Sequence, residues 1–266
     1  MFERLQACIV VAFQDARQRV VRTSLTDCQR MPARYAFVAD HSGADSPMSM
    51  LETRLTDRYA LPVAPDASQM RYLTEQEREI SMKQAISHWQ GDQDIWVYGY
   101  GSLIWNPEFE YAEKRIGTLR GHHRALCLWS RVNRGTPQEP GLVFGLDRGG
   151  SCRGMAFRIQ ARDVLDMLPN LWRREMSTGA YLPRWLRCDT EHGHVKALAF
   201  VIDRTSPGYV KEPPCDHAIE IIHRASGSYG PCVDYVLQTH QALSAAGIHD
   251  ARLHQIAQQL RTRTGG

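Results

Sequence analysis

Apolar residues recur along this chain in two periods, and the switches between them mark most of its elements. Thr74-Glu-Gln-Glu77 is a pattern in which the Thr and Glu side chains can each satisfy a backbone N–H of a first helical turn. It predicts a helix to about Trp89, stopped by Gly91-Asp92. Ile95-Trp-Val-Tyr98 is β-branched and aromatic, the composition of a buried strand. Further strands are expected at 125–131, 141–146 and 153–159, with Asp147-Arg-Gly-Gly150 as the turn between the last two. Val164, Leu165, Leu168, Leu171 and Trp172 return to helical spacing, so 161–176 reads as a helix that Pro169 should kink or divide. Strands follow at about 184–189 and 194–202, then a short amphipathic helix over 218–224. Pro231 suits the first residue of a helix reaching Ala246, with Gly247 as its stop, and Asp250 caps a last helix to about Arg261. The sum is one mixed α+β domain, a largely antiparallel sheet or small barrel flanked by helices.

The first 47 residues follow neither period clearly. Ala7 to Phe13 is a short apolar run, weak helical periodicity follows, and His41-Ser-Gly-Ala-Asp-Ser-Pro47 has the composition of a linker. Residues 1–47 are therefore expected to be a poorly ordered extension, or sequence upstream of the true start, and 48–266 the folded domain.

Composition narrows the classes. Hydrophobic residues at 43% and charged residues at 23% are those of a globular chain. A net charge of +3 with no Lys/Arg cluster gives no reason to expect nucleic acid. No apolar run approaches the roughly 18 residues of a membrane span. The seven cysteines are scattered, without a Cys-x-x-Cys pair, which fits free thiols in the cytoplasm and excludes a zinc ribbon. The histidines lack a third ligand at metal spacing, so no metal is expected.

The densest chemical signal is Tyr98-Gly-Tyr-Gly-Ser-Leu103, directly after the strand at 95–98. Two glycines one residue apart let the backbone turn and bring bare N–H groups to an anion or an oxyanion. A lone Gly-x-Gly equally ends strands that bind nothing. Ser102 could be a nucleophile, but no Gly-x-Ser-x-Gly elbow or partner histidine accompanies it. Glu175, near the end of an otherwise apolar helix, is by spacing alone a carboxylate paired with a neighbouring arginine.

Together with Leu171-Trp-Arg-Arg-Glu175-Met-Ser-Thr-Gly-Ala-Tyr181, Asn133-Arg-Gly-Thr-Pro137, Gly149-Gly-Ser-Cys-Arg-Gly154, Pro207-Gly-Tyr209 and Ala225-Ser-Gly227, the glycine loop resembles the ChaC-type γ-glutamylcyclotransferases over about residues 70–260. Related chains usually start near Met48. The resemblance implies a compact mixed barrel and cleavage of glutathione by ring closure to 5-oxoproline and Cys-Gly, with no cofactor, a small-molecule substrate as partner, and neither nucleic acid nor membrane insertion. Glu175 then serves as general base and afterwards acid. Val97, Tyr98, Gly99, Tyr100, Gly101, Ser102 and Leu103 hold the γ-glutamyl group, with only one of the two tyrosines facing the pocket. Arg134 offers a second anion contact, Tyr181 closes the pocket and Tyr209 covers it; Trp105 and Trp172 are the tryptophans expected nearest. Val210-Lys-Glu212 after Pro-Gly-Tyr, and Phe200 where some relatives carry tyrosine, depart from the family pattern and bear on the leaving group. Other γ-glutamyl compounds as substrates, or a non-catalytic regulator of cation transport, are the alternative functions. Oligomeric state is not legible.

Overall fold

The computed structural model describes residues 8–14, 17–23, 36–39 and 61–264. The chain divides into two units, residues 1–60 and 61–266. In the first, β1 (Cys8–Gln14) pairs antiparallel with both β2 (Arg17–Thr23) and β3 (Ala36–Ala39). Strands thus stand where weak helical periodicity was read: β2 carries β-branched Val20, Val21 and Thr23, which favour extended backbone once a partner strand is present. The expected boundary at 47/48 lies outside the described residues.

In the second unit five strands close a barrel in the order β4-β6-β5-β7-β8. They are β4 (Ile95–Gly99), β5 (Glu113–Ser130), β6 (Gly141–Ile159), β7 (Tyr181–Thr190) and β8 (Gly193–Ile202). Closure comes from β4 lying parallel to β8, with Trp96 opposite Ala197 and Val97 opposite Leu198. The family's small mixed barrel is therefore present.

The expected turn at 147–150 is not there. β6 runs unbroken through it, paired with β5 from Gly141 to Arg158. Between the pairs Arg120–Ser151 and His122–Arg148, the single residue Gly121 faces Gly149 and Gly150. All three have positive φ (78°, 102° and 68°), a conformation cheap only for glycine. They form a bulge that bends the two-stranded ribbon instead of ending it, as barrel corners require.

Helix α1 (Glu75–Ala85) opens as predicted: Thr74 Oγ1 accepts from the Glu77 N–H at 3.2 Å, and Glu77 Oε2 accepts from the Thr74 N–H at 2.9 Å. It ends four residues before Trp89. Helix α2 (Ala161–Glu175) is not divided by Pro169. The carbonyl that Pro169 leaves without a donor is that of Leu165, and Leu165 is exposed, so water can serve it. Helices α3 (Cys215–Arg224), α4 (Cys232–Ala245) and α5 (Ala251–Thr264) follow, with the short strand pair β9 (Ser226–Gly227) and β10 (Gly230–Pro231) between α3 and α4. Asp250 Oδ1 caps α5 by accepting from the Leu253 N–H at 3.0 Å.

Alternation along β4 sorts the core. Ile95 and Val97 join Phe157, Leu168, Leu171, Trp172 and Phe200 beneath α2, while Tyr98 and Tyr100 point to the opposite side, into a cluster shared with α3, α4 and α5. Each large apolar side chain buried this way contributes about 1.5–3 kcal/mol. Among the described residues no helix is long and apolar enough to cross a membrane.

Candidate active site

The register of α2 places the carboxylate. Val164, Met167, Leu168, Leu171 and Trp172 are its buried face, and Glu175 continues that stripe, four residues beyond Leu171 and three beyond Trp172. The side chain of Glu175 is only 13% exposed. It reaches a small cavity of about 40 Å³, lined also by Tyr100, Gly101, Ser102, Leu103, Phe144, Tyr181, Phe200 and Tyr235. A larger cavity of about 550 Å³ shares no residue with it; that one lies among Leu61–Ala67, Trp129, Pro137–Pro140 and α3. Size alone would select the larger. The smaller one holds a buried acid, hydroxyls and the glycine loop together, which is the combination that chemistry needs.

Burial pushes the Glu175 carboxyl above its ordinary range; Arg174 opposes this and Glu108 adds to it. The position at the C-terminal end of a helix also disfavours negative charge. Arg174 Nε lies 3.3 Å from Glu175 Oε1, but the same guanidinium is shared widely. It donates to Ser102 Oγ at 2.9 Å and to the Asn106 carbonyl at 2.6 Å, and pairs with Glu108 at 3.1 Å. Glu108 itself has a left-handed backbone (φ 58°), held by its bond from Asn106 Nδ2 at 2.8 Å. Arg174 thus ties the end of α2 to the loop following β4.

That loop turns through a single 3₁₀ turn, Ser102–Ile104. Its first internal bond runs from the Ile104 N–H to the Gly101 carbonyl at 3.0 Å, so the Ser102 and Leu103 N–H groups have no acceptor within the turn. A Cβ at residue 101 would stand 3.2 Å from the Tyr235 hydroxyl, so a side chain there would crowd the cavity. Ser102 Oγ accepts from the Arg174 guanidinium, which cannot take its proton, and no base is hydrogen-bonded to it among the described residues.

Of the residues expected here, Tyr100, Gly101, Ser102, Leu103, Glu175 and Tyr181 come together. Tyr98 does not. Its ring is buried and its hydroxyl bonds to the Cys152 and Gly117 carbonyls at 2.8 and 3.2 Å. Tyr98 and Tyr100 are two residues apart and so face the same side of the chain; depth along the strand, not alternation, leaves Tyr100 alone at the cavity. Val97 and Gly99 pack in the wall behind, Gly99 against Phe157 and Leu103. Arg134 is buried and lies against the ring of Tyr235 at 5.6 Å, bonded to the Pro231 carbonyl at 3.2 Å. Tyr209 belongs to another cluster, where its hydroxyl donates to Asp147 at 3.2 Å. Trp105 and Trp172 form a second layer, Trp105 edge-on to Tyr235 and Trp172 edge-on to Phe200.

Phe144, Tyr235 and Glu108 were missed from sequence. Tyr235 falls on the buried stripe of α4 with Cys232, Val236, Thr239 and Leu243, a pattern that was legible. Nothing local linked that helix to Glu175. No cluster of three or more His, Cys, Asp or Glu side chains suited to a metal occurs among the described residues; His240 and His254 approach to 3.1 Å without a third ligand.

A closed five-stranded barrel with helices packed on it and one small polar cavity defines a γ-glutamylcyclotransferase-like fold. A solved yeast γ-glutamyl cyclotransferase specific to glutathione superposes with a TM-score of 0.59, at 19% identity, over 64% of this chain and 96% of its own. The model of the ChaC-like protein family matches residues 95–263, and the chain belongs to that family. The glutathione-specific γ-glutamylcyclotransferase of Escherichia coli (strain K12) is 35% identical over 182 residues, 68% of this chain and 79% of that protein. The human glutathione-specific γ-glutamylcyclotransferase 1 is 31% identical over 160 residues, 58% of this chain and 72% of its own.

Proposed function

We propose that this chain is a lyase that cleaves glutathione by intramolecular cyclisation, releasing 5-oxoproline and Cys-Gly. The observation that carries the reading is Glu175, a buried carboxylate held above its usual range in the same small cavity as the Gly101–Leu103 loop. The names of the relatives supply the substrate. The α-amine and γ-carbonyl are already tethered, so the enzyme has to fold the substrate back and move protons.

Glu175, ionised, takes a proton from the α-ammonium. The freed amine attacks the γ-carbonyl carbon; a C–N bond forms and the carbonyl electron pair moves to oxygen. As the oxyanion collapses, the bond to the cysteine nitrogen breaks, and the protonated Glu175 supplies a proton to that departing amine. A second proton follows from the attacking to the leaving nitrogen by the same carboxylate, so the lactam and an ammonium leave. The Ser102 and Leu103 N–H groups hold the γ-glutamyl end, and Tyr100 and Tyr181 wall it in. A cavity of about 40 Å³ holds only one or a few waters, against about 300 Å³ or more for typical ligand pockets, so the substrate has to widen it on entry. The five described cysteines outside residues 1–60 are free thiols, as suits a reducing cytoplasm.

The test is 5-oxoproline release from glutathione and from γ-glutamyl-alanine by the purified protein and its Glu175→Gln variant. Turnover of glutathione with a loss of about a hundredfold or more in the variant is expected. Turnover of γ-glutamyl-alanine alone would move the chain to broader γ-glutamyl substrates. Silence on both would favour a binding role.

A further inference from the structure

We propose that the hydroxyl of Tyr235 is a catalytic hydrogen-bond donor to the oxyanion that forms on the γ-carbonyl; this rests on the cyclisation reading above. Three phenols line the cavity of Glu175, and their hydroxyls are spent differently. Tyr100 donates to the Phe200 carbonyl at 2.8 Å, and Tyr181 to the Phe144 carbonyl at 3.0 Å. Tyr235 is on the receiving end: its oxygen accepts the Phe144 N–H at 3.1 Å, and among the described residues it makes no bond as donor. Its own hydrogen therefore remains for whatever occupies the cavity.

The position is that of a donor built for transient charge. Gly101, directly below the hydroxyl, carries no Cβ that would cover it. Burial holds the phenol protonated, so near neutral pH it can donate while Glu175 is ionised. A neutral phenol beside a carboxylate suits an oxygen that is negative only in the transition state; a permanently charged group would call for a cation. The guanidinium of Arg134, 5.6 Å from the ring centre, draws on the same ring and makes its O–H a better donor. Arg134, which does not itself line the cavity, is thus a positioning residue acting through Tyr235.

The experiment compares the parent, Glu175→Gln and Tyr235→Phe on glutathione, with near-ultraviolet circular dichroism to verify packing. Tyr235→Phe should lower kcat by about a hundredfold or more with KM changed less than about threefold. Replacing Tyr235 by 3-fluorotyrosine keeps the shape and the Phe144 contact but sharpens the acid, and should raise kcat by roughly two- to fivefold; this variant decides if the Phe form does not fold. Arg134→Gln should lower kcat severalfold in the parent and have no further effect in Tyr235→Phe. A folded Tyr235→Phe protein with parental kcat, a loss confined to KM, or a fluorotyrosine form with unchanged kcat would each overturn the assignment. A parent inert on glutathione would instead sink the cyclisation reading beneath it. An active parent with an inert Glu175→Gln and a fully active Tyr235→Phe would sink Tyr235 alone.

Discussion

Two buried carboxylates in this molecule have been treated in opposite ways. Asp147 on β6 is 4% exposed, and donors surround it: Arg204 Nε at 2.6 Å, the Arg148 N–H at 2.8 Å and the Tyr209 hydroxyl at 3.2 Å. Burial opposes its charge, yet Arg204 and the Arg148 N–H outweigh burial and hold it below the ordinary range. Glu175 is nearly as hidden but has one shared guanidinium at 3.3 Å, and burial wins. Asp147 is given donors that keep it ionised; Glu175, the proposed proton carrier, is denied them.

The contrast can be broken most sharply by amide substitution at both positions. Glu175→Gln should cost activity by about a hundredfold or more, whereas Asp147→Asn should stay within about threefold once corrected for folded protein. Equal losses would erase the distinction. Stability should move the other way. Asp147 contributes stability above pH 3.8 that is lost as pH falls through its lowered folded value, so Asp147→Asn costs about 1–3 kcal/mol near neutrality. Glu175 binds its proton more tightly folded than unfolded, so stability is lost as pH rises from 4.5 through the raised value. Glu175→Gln should therefore raise Tm at pH 7–8, on the order of 2–4 °C. A thermal scan of both variants at pH 4 and pH 8 reads these signs.

Smaller changes sharpen the role of Arg174. In the proposed mechanism the ionised form of Glu175 is the base, so activity should fall as pH drops through its raised pKa. Arg174→Gln should shift that acid limb upward and Glu108→Gln should shift it downward, because the one opposes and the other adds to the effect of burial. Movement of both in one direction would contradict this electrostatic account. Least of all should change in Tyr209→Phe, which loses one hydrogen bond to Asp147 and does not line the cavity. Its kcat/KM should stay within about twofold, with stability lower by about 1 kcal/mol at most.

Much of this was local and therefore legible in the sequence. The buried face of α2 was written in a 3.6-residue period, and Glu175 lies on it by arithmetic alone. The capping box at Thr74, the glycine loop after β4 and the Asp250 cap each depend on neighbours within a few residues. The motif resemblance added the chemistry that those neighbours could not.

What only the tertiary structure decided involves partners far apart in sequence. Whether Gly149-Gly150 turns the chain or bends a strand depends on Gly121 lying opposite. That Arg134 lies against the ring of Tyr235, and that Tyr209 serves Asp147, follow from contacts 101 and 62 residues long. Tyr235 meets Phe144 across 91 residues, and only closure of the barrel brings α4 over the cavity. Periodicity tells which face of an element is buried; what that face meets is set by packing, which no stretch of sequence contains on its own.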